Sequence, residues 1–277
     1  MQSCKSPLRY PGGKSRIADW IISLMLPHKR YYEPFVGGGS VFFHGPPFTE
    51  RAILADKHRG LVSFYRCLKY KPGQFIALLR REVKKYGNGK TLFDRWASRR
   101  DLMEKWGRMV EQGVQYYILN RLVWGGRVIY DPERLSRLYF SNTKGLENLE
   151  TRIKELMLAS RALQRATVFC DDGLSLLPMV ESDDLVYCDP PYVEASNLGK
   201  FSKVYEHVFT TEDHVRLAKA LNACRGKVLV SYDNSPLAMK LYEGWRVYKR
   251  ETSYCLPGQH SKADEIVFAN FDVEKNA

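Results

Sequence analysis

An α/β fold with a mostly parallel sheet is what the sequence predicts, and three observations carry it. Short apolar segments of strand length alternate with longer ones whose apolar residues recur at helical spacing. Three glycines, Gly37, Gly38 and Gly39, stand directly behind the first strand-like segment, and Asp189-Pro190-Pro191-Tyr192 stands directly behind a later one. Ligand sites of open α/β sheets lie at such carboxyl ends of strands.

The elements follow in order. Ser15 is placed to cap a helix carrying Ile17, Trp20, Ile21 and Leu24, which Pro27 stops. Residues 31–36 read as a strand ending at the glycine turn. Residues 40–44 begin a helix that Gly45-Pro46-Pro47 ends, and 52–56 form a second buried strand. That is a βαβ unit. Helical runs cover 61–68 and 72–86, broken by Gly87-Asn88-Gly89, and 146–163 reads as a helix returning to the sheet. Segments 167–170, 185–188 and 228–231 are strand-like, the last preceded by a helix at 214–224. Segments 245–249 and 265–271 are expected to close the sheet as an antiparallel pair. Residues 1–56 and 166–277 therefore make one expected domain, with 57–165 as an insert.

The insert differs in charge. The chain carries a net charge of +12. Residues 57–165 hold 24 Lys and Arg against 10 Asp and Glu, whereas the remainder holds 19 against 21. One continuous segment is thus the basic one, which favours a polyanionic partner through phosphate neutralisation and counterion release. Aromatic and basic residues interleave in it: Phe93, Arg95, Trp96, Arg99, Arg100, Lys105, Trp106 and Arg108, then Tyr116, Tyr117, Arg121, Trp124 and Arg127. Such a surface suits a nucleic-acid backbone and unstacked bases, although amphipathic helices need many of these rings for their core.

Other classes are disfavoured. No run of 18 apolar residues occurs, so neither a membrane span nor a signal peptide is expected. The six cysteines are scattered without a C-x-x-C pair or a His partner at ligand spacing, so no metal site is expected and a reducing cytoplasm fits. Cys188, next to Asp189, reads as a small core residue rather than a nucleophile.

Two constellations carry chemistry. Glycines behind a strand let a ligand approach the backbone, and Asp56, 17 residues after Gly39, stands where a carboxylate can accept both hydroxyls of a ribose. Together they describe an adenosine-type cofactor site. In Asp189-Pro190-Pro191-Tyr192 the two prolines force a stiff exit from the sheet. An aromatic amine such as adenine N6 is a poor nucleophile, because its lone pair is conjugated with the ring. The Asp189 carboxylate and the Pro190 carbonyl, each accepting one N6 hydrogen, would favour the pyramidal amine and stabilise the charge that develops on alkylation. Tyr192 can stack on the base.

In this order, Tyr10-Pro11-Gly12-Gly13-Lys14, Glu33-Pro34-Phe35-Val36-Gly37-Gly38-Gly39-Ser40-Val41-Phe42 and Asp189 to Tyr192 resemble the Dam-type (D12 class, alpha group) DNA N6-adenine methyltransferases. The similarity runs over about residues 7–70 and 166–271, and includes Ile53-Leu54-Ala55-Asp56 and Ala263-Asp264-Glu265. It implies a seven-stranded, mostly parallel Rossmann-like sheet binding S-adenosylmethionine, with a largely helical target-recognition insert. By this resemblance Tyr10 and Lys14 hold the methionine end of the cofactor, and Phe35, Gly37 and Gly39 shape its pocket. Asp56 takes the ribose, Phe169 and Asp171 flank the adenine, and Asp189 touches both cofactor and target amine. DNA is the implied partner, and the target adenine must be flipped out of the duplex. Arg9, Asn120, Arg121, Trp124 and Arg127 are the expected DNA contacts. Asn120-Arg121 resembles the start of the family's recognition hairpin, but residues 122–127 depart from its usual continuation. The target sequence stays open between GATC and a different or relaxed site, and Arg121 and Arg127 serve either guanine edges or phosphates. A cytoplasmic, prokaryotic or phage-encoded enzyme, monomeric or weakly dimeric, is expected.

Three rivals remain. An RNA or protein N-methyltransferase could present a similar loop. A nicotinamide enzyme would need G-x-G-x-x-G, which is absent, and would leave the Asp189 to Tyr192 loop unexplained; a non-catalytic DNA-binding module would predict a broken cofactor turn or a replaced Asp189, and neither is seen.

Overall fold

The computed structural model describes residues 4–99, 101–102, 105, 107–128, 138–141, 144–192, 209–256 and 259–273. Its strands are β1 (Tyr31–Glu33), β2 (Ala52–Asp56), β3 (Ala166–Cys170), β4 (Leu185–Cys188), β5 (Lys227–Asp233), β6 (Arg246–Leu256) and β7 (Gln259–Ala269). They form the expected seven-stranded sheet, in the order β3-β2-β1-β4-β5-β7-β6. Neighbours β2-β1, β1-β4 and β4-β5 are parallel, and β7 runs antiparallel to both β5 and β6. Every residue of β1 and β4 is buried, as in parallel strands covered on both faces. The edge strand β6 carries exposed Arg246, Lys249 and Arg250, charges that discourage further pairing.

Contact density divides the chain into two compact units: residues 1–15, 37–45 and 56–170, and residues 16–36, 46–55 and 171–277. In the first, α2 (Ser40–His44), α3 (Arg59–Tyr70), α4 (Pro72–Tyr86), α5 (Lys90–Ala97), α6 (Met109–Leu122) and α7 (Leu149–Leu163) dominate. Residues 112–122 of α6 are all buried, so α6 has no solvent face. Gly113 permits close approach to α3, since a Cβ there would lie 3.0 Å from Cys67 Cβ. Phe64 stacks on Tyr117 with ring centroids 5.6 Å apart, and Phe93, Trp96, Tyr116 and Tyr117 are core residues. Trp106 and Arg100 lie outside the described residues. Gln112 donates to the carbonyls of Leu102 and Lys105, and Gln115 to those of Trp96 and Arg99, so these buried amides terminate α5 and the turn behind it.

In the second unit, α1 (Ala18–Ser23), α8 (Thr211–Asn222) and α9 (Pro236–Leu241) flank the strands. Thr210 and Asp213 form a capping box on α8, and Ser235 caps α9. The register brings the carboxyl ends of β4 and β5 and residue Glu265 of β7 to one edge: Cys188 lies opposite Val230, Ser231 opposite Val267 and Asp233 opposite Glu265.

Several expectations are corrected. Ser15 does not cap α1: the N-cap position is Ile17, without a side-chain bond, and Ser15 Oγ lies 3.1 Å from Ser40 Oγ. The strand expected over 31–36 stops at Glu33, because Pro34 brings no N–H to the ladder. The helix expected from 146 starts at Leu149, behind Asn148 at φ 55°. The closing pair is longer than expected, 11 residues in each strand.

Candidate active site

The glycine turn joins β1 to α2. Gly37 and Gly39 take φ of 44° and 65°, the left-handed region that a side chain disfavours. Tyr65 Oη donates to the Gly37 carbonyl at 2.8 Å, and Ser6 Oγ donates to that of Gly38. The Gly37 N–H donates to Asp56 Oδ2 at 3.0 Å, and the His58 N–H donates to Asp56 Oδ1 at 2.8 Å. Tyr10 lies on this turn so closely that a Cβ on Gly37 would come 2.8 Å from its ring, and one on Gly38 would come 2.7 Å from its Cβ. The turn, Tyr10 and Asp56 are thereby one assembly. Each Asp56 oxygen receives a backbone N–H, which fixes the direction of the carboxylate. Lys14, in the same unit, is buried, and its Nζ donates to the Gly12 carbonyl at 3.0 Å.

Phe35 is half-buried and meets Phe209 edge to face, with centroids 5.8 Å apart. Phe169 is half-buried on β3. Asp171 is exposed and accepts from its neighbour's N–H at 2.7 Å and from Ser175 Oγ at 3.1 Å.

Asp189-Pro190-Pro191-Tyr192 leaves the end of β4. Ser231 Oγ of β5 donates to Asp189 Oδ1 at 2.9 Å and lies 3.0 Å from Tyr187 Oη. With its own proton directed at the carboxylate, Ser231 accepts from Tyr187. Burial pushes the Tyr187 phenol well up, so it keeps the proton it donates. Tyr192 Oη donates to Glu265 Oε1, and Glu265 is only 1% exposed. The Tyr192 ring lies beside that of Tyr232, centroids 6.0 Å apart. Tyr232 Oη in turn lies 2.8 Å from Nδ1 of His214, whose pKa burial lowers to about 4, leaving it neutral. Cys188 is fully buried and its thiol is pushed well up by burial, which keeps it protonated, as a core residue should be.

The residues expected at DNA separate into two groups. Asn120 is fully buried. Its Oδ1 accepts from the Arg9 N–H at 3.0 Å, and its Nδ2 donates to the carbonyls of Arg9 at 2.7 Å and Gly126 at 2.8 Å. Arg121 is 6% exposed and its Nε donates to the Gly145 carbonyl at 2.9 Å. Both side chains, expected at DNA, are instead buried and bonded to backbone atoms of the fold. Arg9 is half-buried with its backbone held by Asn120. Trp124, in contrast, is 47% exposed, and the Arg127 guanidinium stacks over its ring at 5.0 Å. Each of the seven described acidic residues of 57–165 forms an ion pair inside that segment: Glu82, Asp94, Asp101, Glu111, Glu147, Glu150 and Glu155. These pairs neutralise basic residues of the same segment, whose sequence still carries more Lys and Arg than Asp and Glu. Among the described residues no group of His, Cys, Asp or Glu is placed to hold a metal ion, and no helix is long and apolar enough to cross a membrane.

Residues 10–255 match the family described as D12 class N6 adenine-specific DNA methyltransferase. The chain belongs to this family. It is accordingly an enzyme, of a class that requires a methyl donor and has DNA as its substrate. Among relatives, the type II methyltransferase M1.LlaDCHI of Lactococcus lactis subsp. cremoris is 26% identical over 95% of this chain and 94% of that one. The DNA adenine methylase of Vibrio cholerae serotype O1 is 27% identical over 88% and 87%. That of Escherichia coli K12 is 24% identical over 96% and 95%. The segments 10–14, 33–42, 53–56 and 189–192 that carried the resemblance lie inside the matched span, and Ala263-Asp264-Glu265 lies beyond it. Ser231 and Glu265 as partners of the Asp189 turn were not legible in the sequence; register alone places them there.

Proposed function

We propose that this enzyme transfers a methyl group from S-adenosylmethionine to the exocyclic N6 of an adenine flipped out of DNA. The carrying observation is the Asp189-Pro190-Pro191-Tyr192 turn at the end of a fully buried parallel strand, with the Asp189 carboxylate held by Ser231 at 2.9 Å. The cofactor, when bound, supplies a methyl group on a sulfonium, ready for attack by a nitrogen lone pair. Tyr10, Lys14, Phe35, Gly37, Gly39 and Asp56 would hold it, with Phe169 and Asp171 at its adenine. Asp56 suits the ribose because its two backbone bonds fix the direction of a carboxylate, a group that accepts from sugar hydroxyls.

Asp189 and the Pro190 carbonyl each accept one N6 hydrogen, which withdraws the lone pair from the ring and aims it at the methyl group. Pro191 completes the stiff exit, and Tyr192 stacks on the flipped base. Methylation would leave the C–S electron pair on the donor's sulfur, and the proton that N6 then sheds would pass to solvent. Arg9, Trp124 and Arg127 meet the DNA, and Asn120 and Arg121 hold the turn that carries them. The basic excess of residues 57–165 supplies sequence-independent affinity.

The test is incubation with labelled S-adenosylmethionine and unmethylated DNA, followed by nucleoside analysis and mapping. N6-methyladenine is expected, and it should disappear in Asp189→Ala while DNA binding survives. Donor binding without transfer to any DNA would overturn the assignment in favour of another acceptor.

A further inference from the structure

Resting on the roles just given to Asp189 and Tyr192, we propose that Ser231 on β5 and Glu265 on β7 are positioning residues for methyl transfer. Ser231 sets the Asp189 carboxylate and Glu265 sets the Tyr192 ring. The two prolines stiffen the backbone between Asp189 and Tyr192, but they leave the side-chain torsions of both flanking residues unfixed. A carboxylate that must accept one hydrogen of a small planar amine, and a ring that must lie flat on the same base, both need those torsions set.

The neighbouring strands provide what the turn lacks. Ser231 is a fully buried hydroxyl between Val230 and Tyr232 on a central strand, where an apolar residue would ordinarily stand. It contacts Asp189 Oδ1 at 2.9 Å, and Tyr187 Oη behind it at 3.0 Å fixes the direction of its proton. Glu265 is a buried carboxylate beside Ile266 and Val267, costly to place there without a hydrogen-bonding partner. Tyr192 Oη donates to it, and Tyr232, tied to His214, lies beside the ring. Two adjacent strands thus each give a buried polar group to one end of the same four-residue turn.

Single-turnover transfer and separate donor and DNA affinities, measured on the full chain, test this. Ser231→Ala should slow transfer roughly ten-fold or more while both affinities stay within about two-fold, and Ser231→Thr, which keeps the hydroxyl, should recover most of the rate. Glu265→Leu and Tyr192→Phe should each slow transfer, their double variant should be no slower than the worse single one, and Glu265→Gln, still an acceptor, should recover much of it. Melting curves identify any variant whose loss only follows its folded fraction, and a loss of that kind counts against the proposal. Rates within about two-fold of wild type in Ser231→Ala and Glu265→Leu, or independent losses that multiply in the double variant, overturn it. If Asp189→Ala abolishes transfer while these variants are unaffected, only the bracing roles fall. Transfer surviving in Asp189→Ala overturns the role of Asp189 as well.

Discussion

Asn120→Ala should destabilise the chain far more than an ordinary Asn-to-Ala change on a helix. Asn120 is fully buried and makes three bonds to backbone atoms: from the Arg9 N–H at 3.0 Å, and to the carbonyls of Arg9 at 2.7 Å and Gly126 at 2.8 Å. A hydrogen bond contributes about 1 kcal/mol net, and stranding a buried partner costs more, so the loss is about 3 kcal/mol. At about 2–3 °C per kcal/mol for a chain of this size, that is roughly 6–9 °C in melting temperature. No small residue restores the amide. Asn120→Asp should be worse still, since it turns a carboxylate toward two carbonyls. Thermal unfolding by circular dichroism measures the shift, and limited trypsin digestion reads the segment itself, because release of the Arg9 backbone exposes the Arg9–Tyr10 bond to cleavage. A melting temperature within about 1 °C of wild type, with Arg9 still protected, would refute the clamp.

Three further outcomes follow. Gly37→Ala puts a side chain at φ 44° and within 2.8 Å of the Tyr10 ring, so donor affinity should fall at least ten-fold, and unchanged affinity by calorimetry would count against the turn as the cofactor cradle. DNA affinity should fall steeply with salt; if about six phosphates are neutralised, log K against log salt has a slope near −5, and a slope shallower than about −2 would remove residues 57–165 as the footprint. Burial depresses His214 to about 4, below the unfolded value near 6.5, so the unfolded chain binds the extra proton between these values. Stability should therefore fall on acidification from about pH 6.5 toward pH 4, at up to about 1.4 kcal/mol per pH unit, and His214→Gln should flatten that limb in urea titrations.

Sequence punctuation set how much of this was legible. Residues 40–44, 52–56, 72–86 and 185–188 were read to the residue because Gly45, the Gly87–Gly89 break and the Asp189-Pro190-Pro191 exit leave the backbone few choices. The long β6-β7 pair was read short, since its extension depends on pairing with a partner strand and not on local propensity. Ser231 lies 42 residues from Asp189 and Glu265 lies 73 from Tyr192, so only the parallel register of β4 with β5 and the antiparallel register of β5 with β7 could join them. The burial of Asn120 and Arg121 was illegible for a related reason. A polar pair at the end of a helix reads as a surface pair unless the helix is buried all round, and the tight packing of α3 against Gly113 of α6 is a tertiary fact.

These placements divide the chemistry from the attraction. The Asp189 turn is fixed by buried neutral hydroxyls and one buried carboxylate, groups whose influence is short-ranged and sensitive to tenths of an ångström. The basic segment has its described carboxylates engaged by its own lysines and arginines, each such pair nearly neutral at a distance, so the remaining excess acts as a field that does not depend on where any single side chain points. On the proposed reading, attraction of a polyanion tolerates substitution at any one lysine, whereas a turn that presents an amine does not. The exposed Trp124 with Arg127 over its ring belongs to neither class: it is held from inside by Asn120 through Gly126, whose φ of 72° and contact with the Arg9 backbone leave no room for a side chain. A turn anchored so firmly and bearing an exposed aromatic is suited to discriminate by shape, and a diffuse field is not.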